Sequence, residues 1–143
     1  MEKTLENKSY LDSLTGKEKS TLLAVLCTLA KIDNHLHSTE KLFLSDFAKE
    51  LGLEFSPRYF SLSDKDCIKY VSQIKNRRLA MEIIKYMLIL AYTDNDFSDL
   101  EGIFIGQIAE ALNLEAKKVA EISSWIIDRI IWLEQEALIF EEN

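Results

Sequence analysis

Apolar residues recur at intervals of three and four along most of the chain, which is the period of an amphipathic α-helix. A first long helix is predicted to open at Thr15, which forms a capping box with Glu18, and to stop near Ile32. The next apolar run extends from 42 to Gly52, and a glycine there suits a left-handed helix end. No segment shows the period of two typical of a half-buried strand. The pattern therefore predicts an all-α fold.

Three further helix starts are marked by capping residues. Ser63 and Asn76 each precede an apolar run, and Ser98 forms a second capping box with Glu101. The run after Asn76 is apolar over most of its circumference, which predicts a central helix with several neighbours. The last helix is the longest and is predicted over about 116–140.

The chain also matches itself when it is displaced by 61 positions. This displacement aligns residues 29–53 with 90–114, and nine of the 25 aligned pairs are identical. An internal repeat explains so many identities better than chance does. The predicted fold is a compact bundle of six to seven helices in one domain, 1–143, built from two pseudo-repeated three-helix halves, about 17–75 and 77–140.

Composition narrows the class of protein. A 48% apolar share with four glycines and one proline suits a folded, helix-rich chain, and a net charge of −7 disfavours nucleic acid as a partner. Cys27 and Cys67 fall on apolar helix faces and are predicted to be buried reduced thiols. The longest apolar run, 87–92, is far too short to span a membrane, and the N-terminus lacks a signal peptide. We therefore expect a cytoplasmic protein.

The candidate chemistry lies in two acidic loops that occupy equivalent places in the repeat. Asp33 and Asp94 each follow an apolar helix, where the helix dipole disfavours a negative charge. One explanation is that each carboxylate accepts hydrogen bonds from backbone N–H groups of the next helix. The other is a cation shared with the glutamate seven residues later, Glu40 or Glu101. The sequence leaves both open.

If a cation binds, the two loops would prefer different ions. The second loop has hard oxygen ligands suited to Ca²⁺ or Mg²⁺, and its candidates are Asp94, Asp96, Asp99 and Glu101. The first loop could attract a transition ion, and its candidates are Asp33, His35, His37 and Glu40. Neither loop has the spacing of an EF-hand. No cofactor is otherwise implied.

Nothing in the sequence indicates a reaction. His35 and His37 are the only histidines, they alternate around Leu36, and we expect them to face solvent. No nucleotide-binding glycine motif and no hydrolase nucleophile motif is present. We therefore expect a chain that is not an enzyme.

The last helix offers a second candidate function. One apolar seam runs along it from Val119 to Phe140, while Trp125 and Trp132 lie off that seam. A helix that is apolar on two sides is either clamped between neighbours or presents an exposed strip to another chain. Trp125 and Trp132 are therefore candidate interface residues for a protein partner or a homodimer.

The two loops resemble those of the TerB-like family, helical domains named from a bacterial tellurite-resistance protein. The matching phrases are 30–36 with Glu40 and 91–97 with Glu101. Downstream, 47–53 and 108–114 are similar to the second helix of that family, and the resemblance covers about 17–125. The chain departs from the family in having Asn after each Asp where Gly is usual.

This resemblance implies an all-helical, non-enzymatic module, linked in relatives to metal-ion or stress responses and to membrane-associated complexes. Any metal ligands would carry over only to Asp33, Glu40, Asp94 and Glu101. Two hypotheses follow from the residues and the resemblance together. The first is an intracellular protein-interaction module, and the alternative is a divalent-metal-binding or metal-sensing domain.

Overall fold

The computed structural model describes residues 8–34, 36–93 and 97–141. This part of the chain is all-helical, with seven α-helices, one 3-10 turn and no strand. In order the helices are α1 (Lys8–Ser13), α2 (Gly16–Ala30), α3 (Ser38–Leu51), α4 (Asp64–Val71), α5 (Arg77–Tyr92), α6 (Asp99–Ala111) and α7 (Ala116–Phe140).

The helix starts lie where the capping residues predict them. Thr15 and Glu18 bond reciprocally at the start of α2, with distances of 2.9 and 3.1 Å between backbone nitrogen and side-chain oxygen. Ser63 accepts from the N–H of Asp66 at the start of α4, and Asn76 accepts from the N–H of Leu79 at the start of α5. Each bond satisfies a donor that the first helical turn leaves unpaired.

Two helices, α2 and α5, form the centre of the fold and contact each other. The central position of α5 confirms the expectation from its apolar circumference. In α2 the pattern shows one broad stripe, yet the helix is buried around most of its circumference, including Thr21 and Thr28. Both threonine hydroxyls donate to the carbonyl four residues earlier, so α2 buries polar side chains without leaving them unsatisfied.

The long connection between α3 and α4 folds back over the core, as its aromatic residues predict. It contains the 3-10 turn Pro57–Phe60, in which Tyr59 is buried, and it packs against α2. The ammonium of Lys31, just after α2, donates 2.6 Å hydrogen bonds to the carbonyl oxygens of Phe60 and Leu62. These two bonds attach the connection to the end of α2.

Local geometry recurs at the displacement of 61 positions. The N-cap residues of α2 and α5, Thr15 and Asn76, correspond in this way, and so do those of α3 and α6, His37 and Ser98. Gly52 and Asn113, which end α3 and follow α6, have left-handed φ angles of 74° and 60°. The third helices differ, because α4 has 8 residues and α7 has 25. Two equivalent three-helix halves therefore stay a prediction.

The polar sequence of 3–12 predicts a short helix, and residues 3–7 of that range lie outside the described residues. The helix begins at Lys8 in the described part of the chain and places Leu11 in the core. Among the described residues, no helix combines the length and apolar character needed to cross a bilayer.

Candidate functional site

The first acidic loop joins α2 to α3 through a left-handed residue. Asn34 has a φ of 63°, which lets the chain reverse between two helices. The turn leads to His37, the residue that caps α3, and the His37 N–H donates to Glu40 Oε1 at 3.2 Å. Glu40 is only 1% exposed. The carboxylate that satisfies the helix start is therefore that of Glu40.

The second loop ends in the same arrangement. Ser98 caps α6, its N–H donates to Glu101 Oε1 at 3.0 Å, and the Glu101 N–H donates to Ser98 Oγ at 3.2 Å. Glu101 is 3% exposed, so this capping box lies inside the protein. A buried carboxylate needs such partners, because a polar group removed from water without them is costly.

The predicted metal ligands are only partly brought together. Glu40 and Glu101 are buried at helix starts, Asp33 is half-buried, and Asp99 is exposed in the first turn of α6. Three further candidates, Asp94, Asp96 and His35, lie outside the described residues. Within the described ranges no three His, Cys, Asp or Glu side chains form a group that could hold an ion. Metal binding by the complete loops stays a prediction.

The two thiols lie in the core, as the sequence predicts. Burial raises the pKa of Cys27 to about 12 and that of Cys67 to about 11. Only the thiolate is a good nucleophile, so both residues are unreactive near neutral pH. Neither is a candidate for nucleophilic catalysis.

The last helix divides into a packed half and an exposed half. Its seam residues Val119, Ile122 and Ile130 are partly buried against the core, and Ile126 is fully buried. From Ile131 to Phe140 every residue is exposed, over about 15 Å of helix. We call this segment the protruding length of α7. The apolar seam continues along it, so the surface that packs in the first half is uncovered in the second.

The exposed side chains of the protruding length are unusually apolar. They include Ile131, Trp132, Leu133, Leu138, Ile139 and Phe140. Leu138 is 83% exposed and Phe140 is 77% exposed, far above what a residue at a helix interface shows. Contiguous apolar surface of this kind usually marks an interaction site in a soluble fold.

The two tryptophans are both half exposed, and their role at an interface stays a prediction. Trp125 is 50% exposed and lines a shallow groove between α5 and α7 together with Arg78 and Lys85. Trp132 is 53% exposed, and the guanidinium of Arg129 lies 4.8 Å from its ring centroid.

A larger groove, absent from the sequence-based expectations, opens between α6 and α7, with α5 beneath it. Its volume is about 730 Å³. Small residues widen it, and they occur four apart on both walls, Gly102 and Gly106 on α6 and Ala116 and Ala120 on α7. Tyr92 and Phe97 form one end, with ring centroids 5.0 Å apart. We call this feature the α6–α7 groove.

Comparison with known proteins does not extend this description. Neither the family models, nor the curated proteins, nor the solved structures give a match to the chain. The resemblance to TerB-like domains therefore stays a prediction.

Proposed function

We propose that this chain is a non-enzymatic protein-interaction module, and that it binds its partner through the protruding length of α7 and the α6–α7 groove. The observation that carries the proposal is that every residue of α7 from Ile131 to Phe140 is exposed. Exposed apolar area costs about 25 cal/mol per Å² relative to its burial. A partner that covered this surface would recover that free energy.

The two surfaces are continuous, which supports a single binding site. Ala116 and Ala120, on one wall of the α6–α7 groove, lie on the same side of α7 as Ile127 and Ile131. An amphipathic helix is the partner shape that such a surface fits, because it inserts apolar side chains at spacings of three and four. The partner would thus lie along α7 and reach the groove at its end.

The TerB-like resemblance supports the same proposal. It implies a non-enzymatic module that works within larger assemblies. We extend the proposal accordingly to a cytoplasmic role in a stress- or membrane-associated complex. The unreactive thiols also favour an interaction module over a cysteine enzyme.

Site-specific photo-cross-linking in cells that make the protein would test the proposal. A cross-linking side chain at Glu134, on the side of the protruding length that carries Ile131 and Leu138, should give a protein adduct of defined mass. The same side chain at Lys65, exposed on α4, is the matched control and should give none. Ile131→Glu combined with Leu138→Glu should abolish the adduct. Equal labelling at both positions, or no adduct at Glu134, would refute the proposed surface.

A further inference from the structure

A second periodic stripe on α7 is separate from the packed seam. Its positions alternate in spacing between three and four, the pattern of a coiled-coil interface. They are Lys117, Ala120, Ser124, Ile127, Ile131, Glu134 and Leu138, and Glu141, the residue that caps the C-terminal end of α7, follows at the same spacing. Every one of the eight is exposed, although four lie in the half of α7 that packs on the core.

This stripe is complementary to a second copy of itself that runs in the opposite direction. Ile127 and Ile131 lie two positions on either side of Arg129. Nine positions out, the small Ala120 on one side is matched by the large Leu138 on the other. An antiparallel pair of identical helices centred on Arg129 would therefore join isoleucine to isoleucine and fill the space over each alanine with a leucine.

The charged and polar positions follow the same symmetry. Twelve positions from Arg129 lie Lys117 and Glu141, of opposite charge, and five positions away lie Ser124 and Glu134. In the antiparallel arrangement each copy would contribute one partner to each pair, so both pairs would form twice. A parallel arrangement would instead place Lys117 against Lys117 and Glu141 against Glu141. Like charges directly opposed are destabilising, which selects the antiparallel pair.

We propose that the occupant of the interaction surface is a second copy of this chain, paired antiparallel through α7 with Arg129 at the centre. Each protruding length then lies along the other copy, and its Leu138 enters the α6–α7 groove beside Ala120. The groove is wide there because Ala116, Ala120 and Gly106 have little or no side chain. This inference rests on the proposed function and adds the identity of the partner.

One residue opposes the pairing, and it provides a control. Asp128 flanks the centre of the stripe, so the Asp128 carboxylates of the two copies approach each other across the symmetry axis. Removing that charge relieves a like-charge contact. Asp128→Asn should therefore strengthen dimerisation by about twofold to fivefold. Removal of a charge at an unrelated surface position should leave the dissociation constant unchanged.

Charge reversal tests the register directly. Sedimentation equilibrium of the full chain should show a monomer–dimer equilibrium at concentrations of about 1 µM to 1 mM, the range of ordinary weak dissociation constants. Lys117→Glu or Glu141→Lys alone should weaken the dimer about tenfold, and the double reversal should restore it to within about threefold. Far-ultraviolet circular dichroism should be unchanged in all three, since both side chains are exposed.

The possible failures are distinguishable. A chain that is still monomeric at about 1 mM, the size of a weak dissociation constant, would overturn the antiparallel pair. A double reversal that does not restore association would do the same. A photo-adduct at Glu134 with the mass of a different protein would then still support the proposed interaction surface. An absence of any Glu134 adduct would refute the proposed function, and the inference with it.

Discussion

Ser98 and Glu101 hydrogen-bond each other reciprocally, and only 3% of the surface of the glutamate is exposed to solvent. Glu40 accepts the equivalent bond from His37 at the other loop. The acidic residues that end both loop motifs therefore hold helix starts in place. Their burial is explained by capping without any bound ion.

Removing the Glu101 carboxylate should destabilise the fold. Glu101→Ala leaves the partly buried Ser98 N–H without its acceptor, and we expect the free energy of unfolding to fall by about 1–2 kcal/mol. Urea denaturation measures the loss. The control is Asp99→Ala, an exposed first-turn residue, which should cost less than about 0.5 kcal/mol. Equal effects of the two substitutions would contradict a capping role for Glu101.

Divalent ions should not change the stability that the loop carboxylates contribute. Asp94→Ala combined with Glu101→Ala should lower the melting temperature by the same amount with and without Ca²⁺, Mg²⁺, Mn²⁺ or Zn²⁺. The reason is that the described carboxylates Glu40 and Glu101 already bond to backbone N–H groups. Calorimetric titration is the direct measurement. Saturable heat that disappears in the double variant would instead favour the metal-binding alternative.

Substitution of Gly52, at the left-handed end of α3, should lower the stability of the protein through the backbone conformation alone. A Cβ added there meets no atom within 4 Å, so Gly52→Ala adds no collision. Its positive φ of 74° should nevertheless cost about 1 kcal/mol, or roughly 2–4 °C in melting temperature. Asn113→Gly is the converse change at a φ of 60° and should be neutral or slightly stabilising. A melting temperature unchanged by Gly52→Ala would be inconsistent with this geometry.

Lys31 should be needed to hold the connection between α3 and α4. Lys31→Met keeps most of the aliphatic chain but removes both 2.6 Å bonds to the carbonyls of Phe60 and Leu62. We expect a loss of about 1–2 kcal/mol and faster amide hydrogen exchange in the connection, since bonds to a charged donor are stronger than neutral ones. Lys49→Met, at an exposed position on α3, is the control. Unchanged exchange in the connection would contradict the anchoring role.

Alkaline pH should destabilise the protein through its two thiols. Burial raises the pKa of Cys27 to about 12 and of Cys67 to about 11, from an ordinary value of 9.0. The native state therefore keeps protons that the unfolded state releases, and stability falls as pH rises above about 9, by up to about 1.4 kcal/mol per pH unit for each thiol. Urea denaturation at about pH 7, 9 and 10.5, on both sides of the ordinary thiol pKa, measures the slope of the free energy of unfolding against pH. The slope should be clearly shallower in Cys27→Ala with Cys67→Ala.

The local structure was predictable because short-range chemistry decides it. Capping residues such as Thr15, Asn76 and Ser98 fix where helices begin, and Gly52 fixes where one ends, through bonds within a few residues. The seam of α7 was equally visible in its spacing. Its coverage was not, because nothing in the periodicity of one helix states how far the neighbouring helices extend.

The α6–α7 groove was hidden from sequence reasoning for a related reason. A groove depends on the distance between two helices, whereas the sequence directly shows only the side chains on each. The available signal was the pairing of small residues four apart, Gly102 with Gly106 and Ala116 with Ala120. The full burial of α2 was likewise missed, since its threonines look polar until their hydroxyls are seen to bond within the helix.

The contact between α2 and α5 has a consequence for synthesis on the ribosome. The apolar faces of α2 meet their main partner only after Tyr92 has been added, about 60 residues beyond the end of α2 at Ala30. At ordinary translation speeds that interval lasts roughly 3–12 s. During this time only α3, the 3-10 turn and α4 are available to cover α2, so part of its apolar surface stays exposed on the nascent chain.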